Sequence, residues 1–442
     1  MTEKNSPERF RVTKIDGTRF IRTPLMLFIG VVVLMLLLML LLWSAKWRMD
    51  PDPLRVSNTG DLNALLPSVV GLTQGTMDAG NRIELTQNGV GFFPKLLRDI
   101  AAAKLSVHVE TYIWYESKIA TELAQLLAQK ARSGVEVRVL VDGSGGRQIS
   151  KVEDLLTEAG VKVERFHPIR FSNLARLNNR DHRKIMVIDG RIAYLGGYGI
   201  ADEWTGDGQD KKHFRDTGVR VEGPIVSRLQ GAFSENWIEE TGEILAGDKY
   251  FPAPVTAGTI PAHLAYTSPS GSISSVQILF YLSIKAAKKE IIIQNPYLLP
   301  DFDAIEALEE AVDRGVKVLI MVPSTEATDS PVVQHASHHH FGSMLKRGVR
   351  IFEYDRTLLH QKVFIIDGIW SGVGSTNFDS RSFELNDEIT MGIVDPAIAA
   401  QLREAFNADM KYAKERKFDE WQGRSLWHKL KDGLAYMASE QL

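Results

Sequence analysis

Two ten-residue stretches constrain this chain more than anything else in it: "DHRKIMVIDG" from Asp181 and "LHQKVFIIDG" from Leu359. Each places a Lys two residues after a His, an Asp five residues after that Lys, and then Gly. The four residues after each Lys are wholly apolar and β-prone, which predicts a buried strand. Residues i and i+2 of a strand share a face, so His182 and Lys184 point the same way, as do His360 and Lys362. Asp189-Gly190 and Asp367-Gly368 are hairpin-turn dipeptides. For the two Asp residues, turn building and chemistry are both open readings.

The segments before the two motifs follow one programme. In the first, "KLSVHVETYIWY" reads as a strand, "TELAQLLAQKARSG" as a helix closed by Gly134, and "VEVRVLVDG" as a strand. In the second, "KEIIIQNPYLLP", "DAIEALEEAVDRG" closed by Gly315, and "VKVLIMVPS" repeat that order. Each continues with a Gly-ended helix, a strand and the motif. The expected fold is α/β: two homologous lobes of mixed, largely parallel sheet flanked by helices. A pseudo-twofold axis would bring His182 and His360 to one cleft. The lobes are expected at 81–250 and 276–442, joined by a Pro-, Gly- and Ser-rich linker at 251–275.

The N-terminus adds an apolar run. Residues 25–45 carry no charge and are long enough for a bilayer core of roughly 30 Å, so a transmembrane anchor is expected there. Residues 1–24, with Lys4, Arg9, Arg11, Lys14, Arg19 and Arg22, form the cytoplasmic tail, and 46–80 the spacer. Lys46, Arg48 and Arg55 follow the run. The excess of positive charge before it places the N-terminus in the cytoplasm and the body of the chain on the outer face. The chain has no Cys, which excludes disulfides and thiolate chemistry. Its net charge is −3, so no bulk attraction to nucleic acid is expected.

Two His and two Lys around one cleft suit a phosphodiester. A neutral His can attack phosphorus and form a phosphohistidine. The other, protonated, can supply the leaving group's proton and then take one from the incoming hydroxyl. The Lys side chains can neutralise the phosphoryl oxygens, so neither metal nor cofactor is expected. Ser375 and Asn377, at alternate positions after a Gly-rich turn, are candidate phosphate donors. Glu388 can fix the tautomer of a catalytic His. In the first copy Asp216 is the expected orienting carboxylate, with Asp202 and Glu203 as alternatives. "QHASHHHF" brings His335, His338, His339 and His340 together, but no neighbouring carboxylate completes a metal set. Trp427, Leu430 and Leu434 follow helical spacing near the C-terminus, as core packing or as an interfacial helix.

The double His-x-Lys-x4-Asp motif, followed by Gly-Ser-x-Asn, resembles the phospholipase D superfamily over nearly all of the chain after residue 80. "QNPYLLPD", "GVRIFEYDRTLLHQKVFIIDG" and "GSTNFDSRSFELNDE" resemble its bacterial cardiolipin synthase branch. The resemblance implies two α/β lobes with the active site between them. It carries His182, Lys184, Asp189, His360, Lys362 and Asp367 over as catalytic residues and points to His182 as nucleophile. It implies a phosphatidyltransferase of the bacterial inner membrane that makes cardiolipin from phosphatidylglycerol, with phosphatidylethanolamine as a further possible substrate. The alternative is a hydrolase of phospholipid or nucleic acid. Two departures stand out: Gly199 occupies the place of a family Asn, and Gly218 that of a family His.

Overall fold

The structure, a computed structural model, describes residues 26–37, 53–57, 60–168, 178–269 and 273–437. The chain divides into two units, Met1–Arg55 and Val56–Leu442. In the first, residues 26–37 form helix α1. The expected tail at 1–24 and the rest of the expected anchor lie outside the described residues. Among the described residues, no helix is long and apolar enough to cross a membrane.

The second unit opens with α2 (Leu62–Leu72), inside the expected spacer. The first half continues β1 (Met77–Gln87), α3 (Asn88–Ala102), β2 (Ser106–Thr111), α4 (Lys118–Arg132), β3 (Glu136–Asp142), α5 (Glu153–Glu158), β4 (Lys162–Phe166), β5 (Ile185–Ile188), β6 (Ile192–Gly196), β7 (Thr217–Glu222) and α6 (Val226–Thr241). The second half runs β8 (Ile260–Thr267), α7 (Ser275–Ala286), β9 (Glu290–Gln294), β10 (Leu298–Leu299), α8 (Phe302–Asp313), β11 (Lys317–Pro323), α9 (Pro331–Arg347), β12 (Arg350–Tyr354), β13 (Val363–Ile366), β14 (Trp370–Gly374), β15 (Phe378–Asp379), α10 (Ser380–Glu384), β16 (Glu388–Val394), α11 (Pro396–Asp409), β17 (Ala413–Arg416), α12 (Phe418–Gln422) and α13 (Leu426–Met437).

One continuous sheet holds both halves, in the order β17-β12-β11-β9-β13-β14-β16-β8-β1-β7-β6-β5-β2-β3-β4. Read outward from the β8–β1 junction, the two halves repeat strand for strand as far as β12 and β4, and the second half adds β17 at its edge. The expected linker therefore contains β8, which pairs with both β1 and β16 at the middle of the sheet. The sheet is mixed, but its antiparallel ladders outnumber the parallel ones, which corrects the largely parallel expectation. Within this sheet parallel pairing is confined to β2–β3–β4 and β9–β11–β12, the strands joined by crossover helices; β10 and β15 form a separate parallel pair. The antiparallel neighbours include the hairpins β5–β6 and β13–β14, where a short turn reverses the chain, and strands brought together from distant parts of the sequence, such as β2–β5, β9–β13 and β1–β8.

The apolar runs behave as their pattern requires. Ile185 and Val187 of β5 enter one core, and Met186 and Ile188 the core on the opposite face. The first of these cores also takes Val363 and Ile365 of β13, so it runs through both halves. Gly134 and Gly315 follow the ends of α4 and α8 at φ 91° and 86°, the left-handed conformation that ends a helix at low cost in Gly.

Asp189 and Asp367 both sit at φ 53°, each followed by a Gly of positive φ, as a two-residue hairpin turn demands. Their carboxylates are already engaged. Asp189 accepts the backbone N–H groups of Lys104, Leu105 and Ser106 at 2.7–3.1 Å. Asp367 accepts those of Lys288, Lys289 and Glu290 at 2.7–2.9 Å. Each carboxylate pins the start of the neighbouring strand. Each also stands seven residues from its motif His along extended chain, on the order of 20 Å. The geometry therefore gives both residues to the turn and removes them from the cleft. Asp189→Ala should lower stability by about 1–2 kcal/mol, since the partly exposed amides can turn to water. Its turnover at a permissive temperature should stay within about twofold of wild type. Denaturant melts and an activity assay on one preparation check both.

Candidate active site

Each motif His is held in place by the other half of the chain. Asp181 bridges Asp387, and Leu359 bridges Arg215, in two isolated parallel contacts. The His182 N–H donates to the Asp387 carbonyl at 2.9 Å, and the Asp387 N–H to the Arg180 carbonyl at 2.9 Å. On the other side the His360 N–H donates to the Arg215 carbonyl at 2.8 Å, and the Arg215 N–H to the Leu358 carbonyl at 2.9 Å. The residue after each clamp residue carries a carboxylate, Glu388 or Asp216. Position on the clamp thus decides which ring each carboxylate meets.

The pairing is crossed. His182 Nδ1 lies 2.8 Å from Glu388 Oε1, and His360 Nδ1 lies 2.8 Å from Asp216 Oδ2. Asp216 was expected to orient the His of its own copy; it orients the other one, because the clamp hands it across the junction. Asp202 does neither, since its carboxylate accepts the N–H groups of Lys118 and Ile119 at the start of α4. The Glu203 carbonyl accepts the Phe214 N–H. Lys184 and Lys362 fold back so that each Nζ donates to its own His carbonyl at 2.7 Å. Lys362 Nζ also lies 2.9 Å from His360 Nε2.

Burial sets the charges. It pushes His182 well below the ordinary imidazole value, and the charges of Lys184, Lys362 and His360 push the same way. His360 is also lowered, by burial and Lys362, but Asp216 opposes the shift. The two carboxylates diverge. Burial raises Glu388 to about 7 despite Lys184 and Ser375. Burial also acts upward on Asp216, but the His360 hydrogen bond and the charges of His360 and Lys362 outweigh it, and its pKa falls. Burial lowers Lys184 to about 8 and Lys362 to about 7.

The candidate phosphate donors separate. Ser375 is buried, and its hydroxyl donates to Glu388 while accepting the Ile389 N–H, so it supports the carboxylate rather than facing a ligand. Asn377 is nearly buried, with its side-chain carbonyl unpartnered among the described residues. The first half has no counterpart to Asn377. A Cβ on Gly199 would stand 3.0 Å from the Trp204 ring and 3.1 Å from Ile113, so the indole fills the space an Asn would need. Trp204 supplies a donor instead: its Nε1 lies 3.0 Å from Asp216 Oδ2. Gly197 is equally constrained, since a Cβ there would meet the Asp216 carboxylate at 2.5 Å.

Sequence reasoning passed over several residues here. Arg381 adds positive charge felt by His182 and binds Asn178 through both terminal nitrogens. Tyr112 packs edge-on to His182 at 5.2 Å and under Lys184 at 5.5 Å. Arg183, between the motif His and Lys, is fully buried and bonds Glu235 and the carbonyls of Ala232 and Thr267. The "DHRK" and "DSRS" stretches displayed both arginines, but surface residues look no different in one sequence.

Residues 96–237 and 282–410, one stretch in each half, match the family described as "Cardiolipin synthase, PLD-like domain". The chain belongs to the cardiolipin synthase branch of the phospholipase D superfamily. Cardiolipin synthase 2 of Staphylococcus epidermidis is 34% identical over 364 residues, covering 81% of this chain and 74% of that protein. The cardiolipin synthase of Oceanobacillus iheyensis is 33% identical over 363 residues, covering 82% and 75%. The chain is accordingly a phosphotransferase of this superfamily. Among solved structures, phosphatidylserine synthase from Haemophilus influenzae aligns with a TM-score of 0.62 over 85% of this chain and 97% of that one, at 14% identity. Polyphosphate kinase from Porphyromonas gingivalis aligns at 0.54 over 89% and 57%, at 12% identity. Both share the fold.

Two outcomes are expected. In ¹⁵N-histidine NMR, Asp216→Asn should shift the ring nitrogens of His360 and leave those of His182, Glu388→Gln should do the reverse, and each should lower turnover about 10²-fold. The second concerns pH. A lysine is cationic below its pKa, and these two values are depressed, so positive charge is lost as pH rises through about 7 and 8. The free-enzyme rate, kcat/KM, should fall across that window, and Lys362→Arg should move the fall to higher pH, because guanidinium keeps its charge.

Proposed function

We propose that the chain is a membrane-anchored phosphatidyltransferase that makes cardiolipin from two molecules of phosphatidylglycerol through a phosphohistidine. The observation that carries this reading is the crossed pair of imidazoles, each fixed through Nδ1 by the opposite carboxylate, with a lysine beside each. Fixing Nδ1 turns Nε2 of each ring to the transfer steps; at His360 that nitrogen meets Lys362 Nζ at 2.9 Å, a contact the substrate oxygen replaces. The names of the relatives, cardiolipin synthases of 33–34% identity, support the same product.

The two half-sites suit different tasks. His182 is the more strongly held neutral, so its Nε2 lone pair is the nucleophile. It forms a bond to phosphorus as the bond to the departing glycerol oxygen breaks. His360 sits against the carboxylate with the lowered pKa, the better partner for an imidazolium, and gives its proton to that oxygen. A second phosphatidylglycerol then enters, His360 takes its hydroxyl proton, and the new P–O bond replaces the P–N bond. Lys184 and Lys362 balance the negative charge on the phosphoryl oxygens, and Asn377 donates to them. No step calls for a metal.

Water competes with the second lipid, so the cleft has to work where lipid alcohol is concentrated and water is not. The apolar run at 25–45 is the proposed anchor, with residues 1–24 in the cytoplasm and the catalytic unit on the outer face. The exposed Trp427, Leu430 and Leu434 of α13, with Lys429 and Lys431 beside them, support an interfacial contact.

Phosphatidylglycerol vesicles with the purified full-length protein should yield cardiolipin and free glycerol, with phosphatidic acid as the minor product. Phosphatidic acid as the major product over a range of acceptor lipids would make the protein a hydrolase. His182→Ala and His360→Ala should each lower cardiolipin formation by at least about 10²-fold. Near-normal turnover in either variant would sink the two-histidine mechanism.

A further inference from the structure

Helix α13 has an unusual footing. Its one buried residue is an aspartate, Asp432, at 3% exposure. Leu426, Trp427, Leu430 and Met437 are all more than half exposed. The helix packs on α9, and the contact is polar. Asp432 Oδ1 lies 2.9 Å from His335 Nδ1 and 3.7 Å from His338 Nδ1. Its other oxygen meets Arg424 Nη1 at 2.5 Å. Burying a carboxylate costs several kcal/mol unless positive charge answers it. One arginine answers one oxygen; the other faces two imidazole nitrogens.

The state of His338 sharpens the point. Its Nε2 lies 2.7 Å from Glu353 Oε1, so that nitrogen carries the proton. A neutral ring then has a bare lone pair at Nδ1, aimed at the Asp432 carboxylate. Two acceptors face one another unless a cation stands between them. That cation is either a second proton on His338 or a metal ion. The donor atoms of His335, His338 and Asp432 all lie within 4.8 Å of one another. Two imidazoles and a carboxylate form a set that suits zinc, with a fourth position open to water. Glu353 on the far nitrogen of His338 is the outer carboxylate that such sites commonly use to fix the ligand's tautomer.

We propose that His335, His338 and Asp432 bind one zinc-class divalent ion, which fastens α13 to the body of the catalytic unit. The site is structural and separate from the chemistry of His182 and His360. His339 stacks on Tyr436 at 4.2 Å instead of joining it, so of the four clustered histidines the ligands are His335 and His338, at i and i+3. The carboxylate that no neighbour of "QHASHHHF" supplied comes from the C-terminal helix.

The test uses full-length protein in detergent, stripped with a chelator, desalted and titrated calorimetrically with zinc chloride. One ion per chain is expected. His335→Ala and the near-isosteric Asp432→Asn should each weaken binding by at least tenfold, Glu353→Gln by about 10–100-fold. His428→Ala, on the same helix but outside the set, should bind as wild type. Zinc should also slow proteolysis between Arg424 and Met437 in wild type and leave the rate in His335→Ala unchanged. Absence of saturable one-to-one binding, or equal affinity in wild type and His335→Ala, would overturn the proposal and leave a proton-bridged His–Asp clasp in its place.

Discussion

Everything else in the catalytic unit depends on the crossed hydrogen bonds between His182 and Glu388 and between His360 and Asp216. Neither half of the chain contains a complete site. Each holds an imidazole and a lysine, and each lends its carboxylate to the other. Such contacts tolerate little slack, which gives the continuous sheet its purpose. Joining β1 to β8 makes the two halves one rigid body, so both 2.8 Å contacts form together. The cost of burying Glu388 and Asp216 is offset only because both partners are in place.

The duplication gives matching geometry but unequal electrostatics. Glu388 takes its second hydrogen bond from Ser375, while Asp216 takes bonds from the Trp204 indole and the Thr217 backbone N–H. Ser375 and Gly197 stand at equivalent positions, as do Asn377 and Gly199. The first half lacks both side chains, and Trp204 fills the room beside Gly199. The balance differs too: burial wins at Glu388, whose pKa is raised, while the His360 hydrogen bond and the charges of His360 and Lys362 win over burial at Asp216, whose pKa is lowered. Two identical half-sites would serve a symmetric reaction; these two are already different before substrate arrives.

Much of this was legible in the sequence, and the part that was not has a common cause. The His-x-Lys strands announced themselves by period-2 spacing next to an apolar run, and the helix ends by their Gly. Local pattern suffices for such features. The direction of pairing did not follow as easily, because helix–strand alternation describes β2–β3–β4 and is silent about the hairpins on the other side. Strand β8, "IPAHLAYT", has a Pro at its second position and lies among Pro, Gly and Ser, so its composition reads as linker. The owner of each carboxylate could not be read at all, since Asp216 and Asp387-Glu388 reach their histidines through backbone bridges formed only at the junction. The same holds for Asp432, remote in sequence from the histidines it meets.

The clamps also restrict how substrate can enter. Because the backbone N–H of each motif His is bonded to a carbonyl of the opposite half, any hinge that opened the junction would break the bonds that position the catalytic rings. A sheet running through both halves and a core shared by β5 and β13 oppose such a hinge as well. Access therefore falls to side chains and loops at the rim. Arg381 is placed for it: the residue belongs to the second half, grips Asn178 of the first, and adds its charge to the field at His182. A phosphate approaching His182 offers that guanidinium a stronger, doubly charge-assisted partner than a neutral amide.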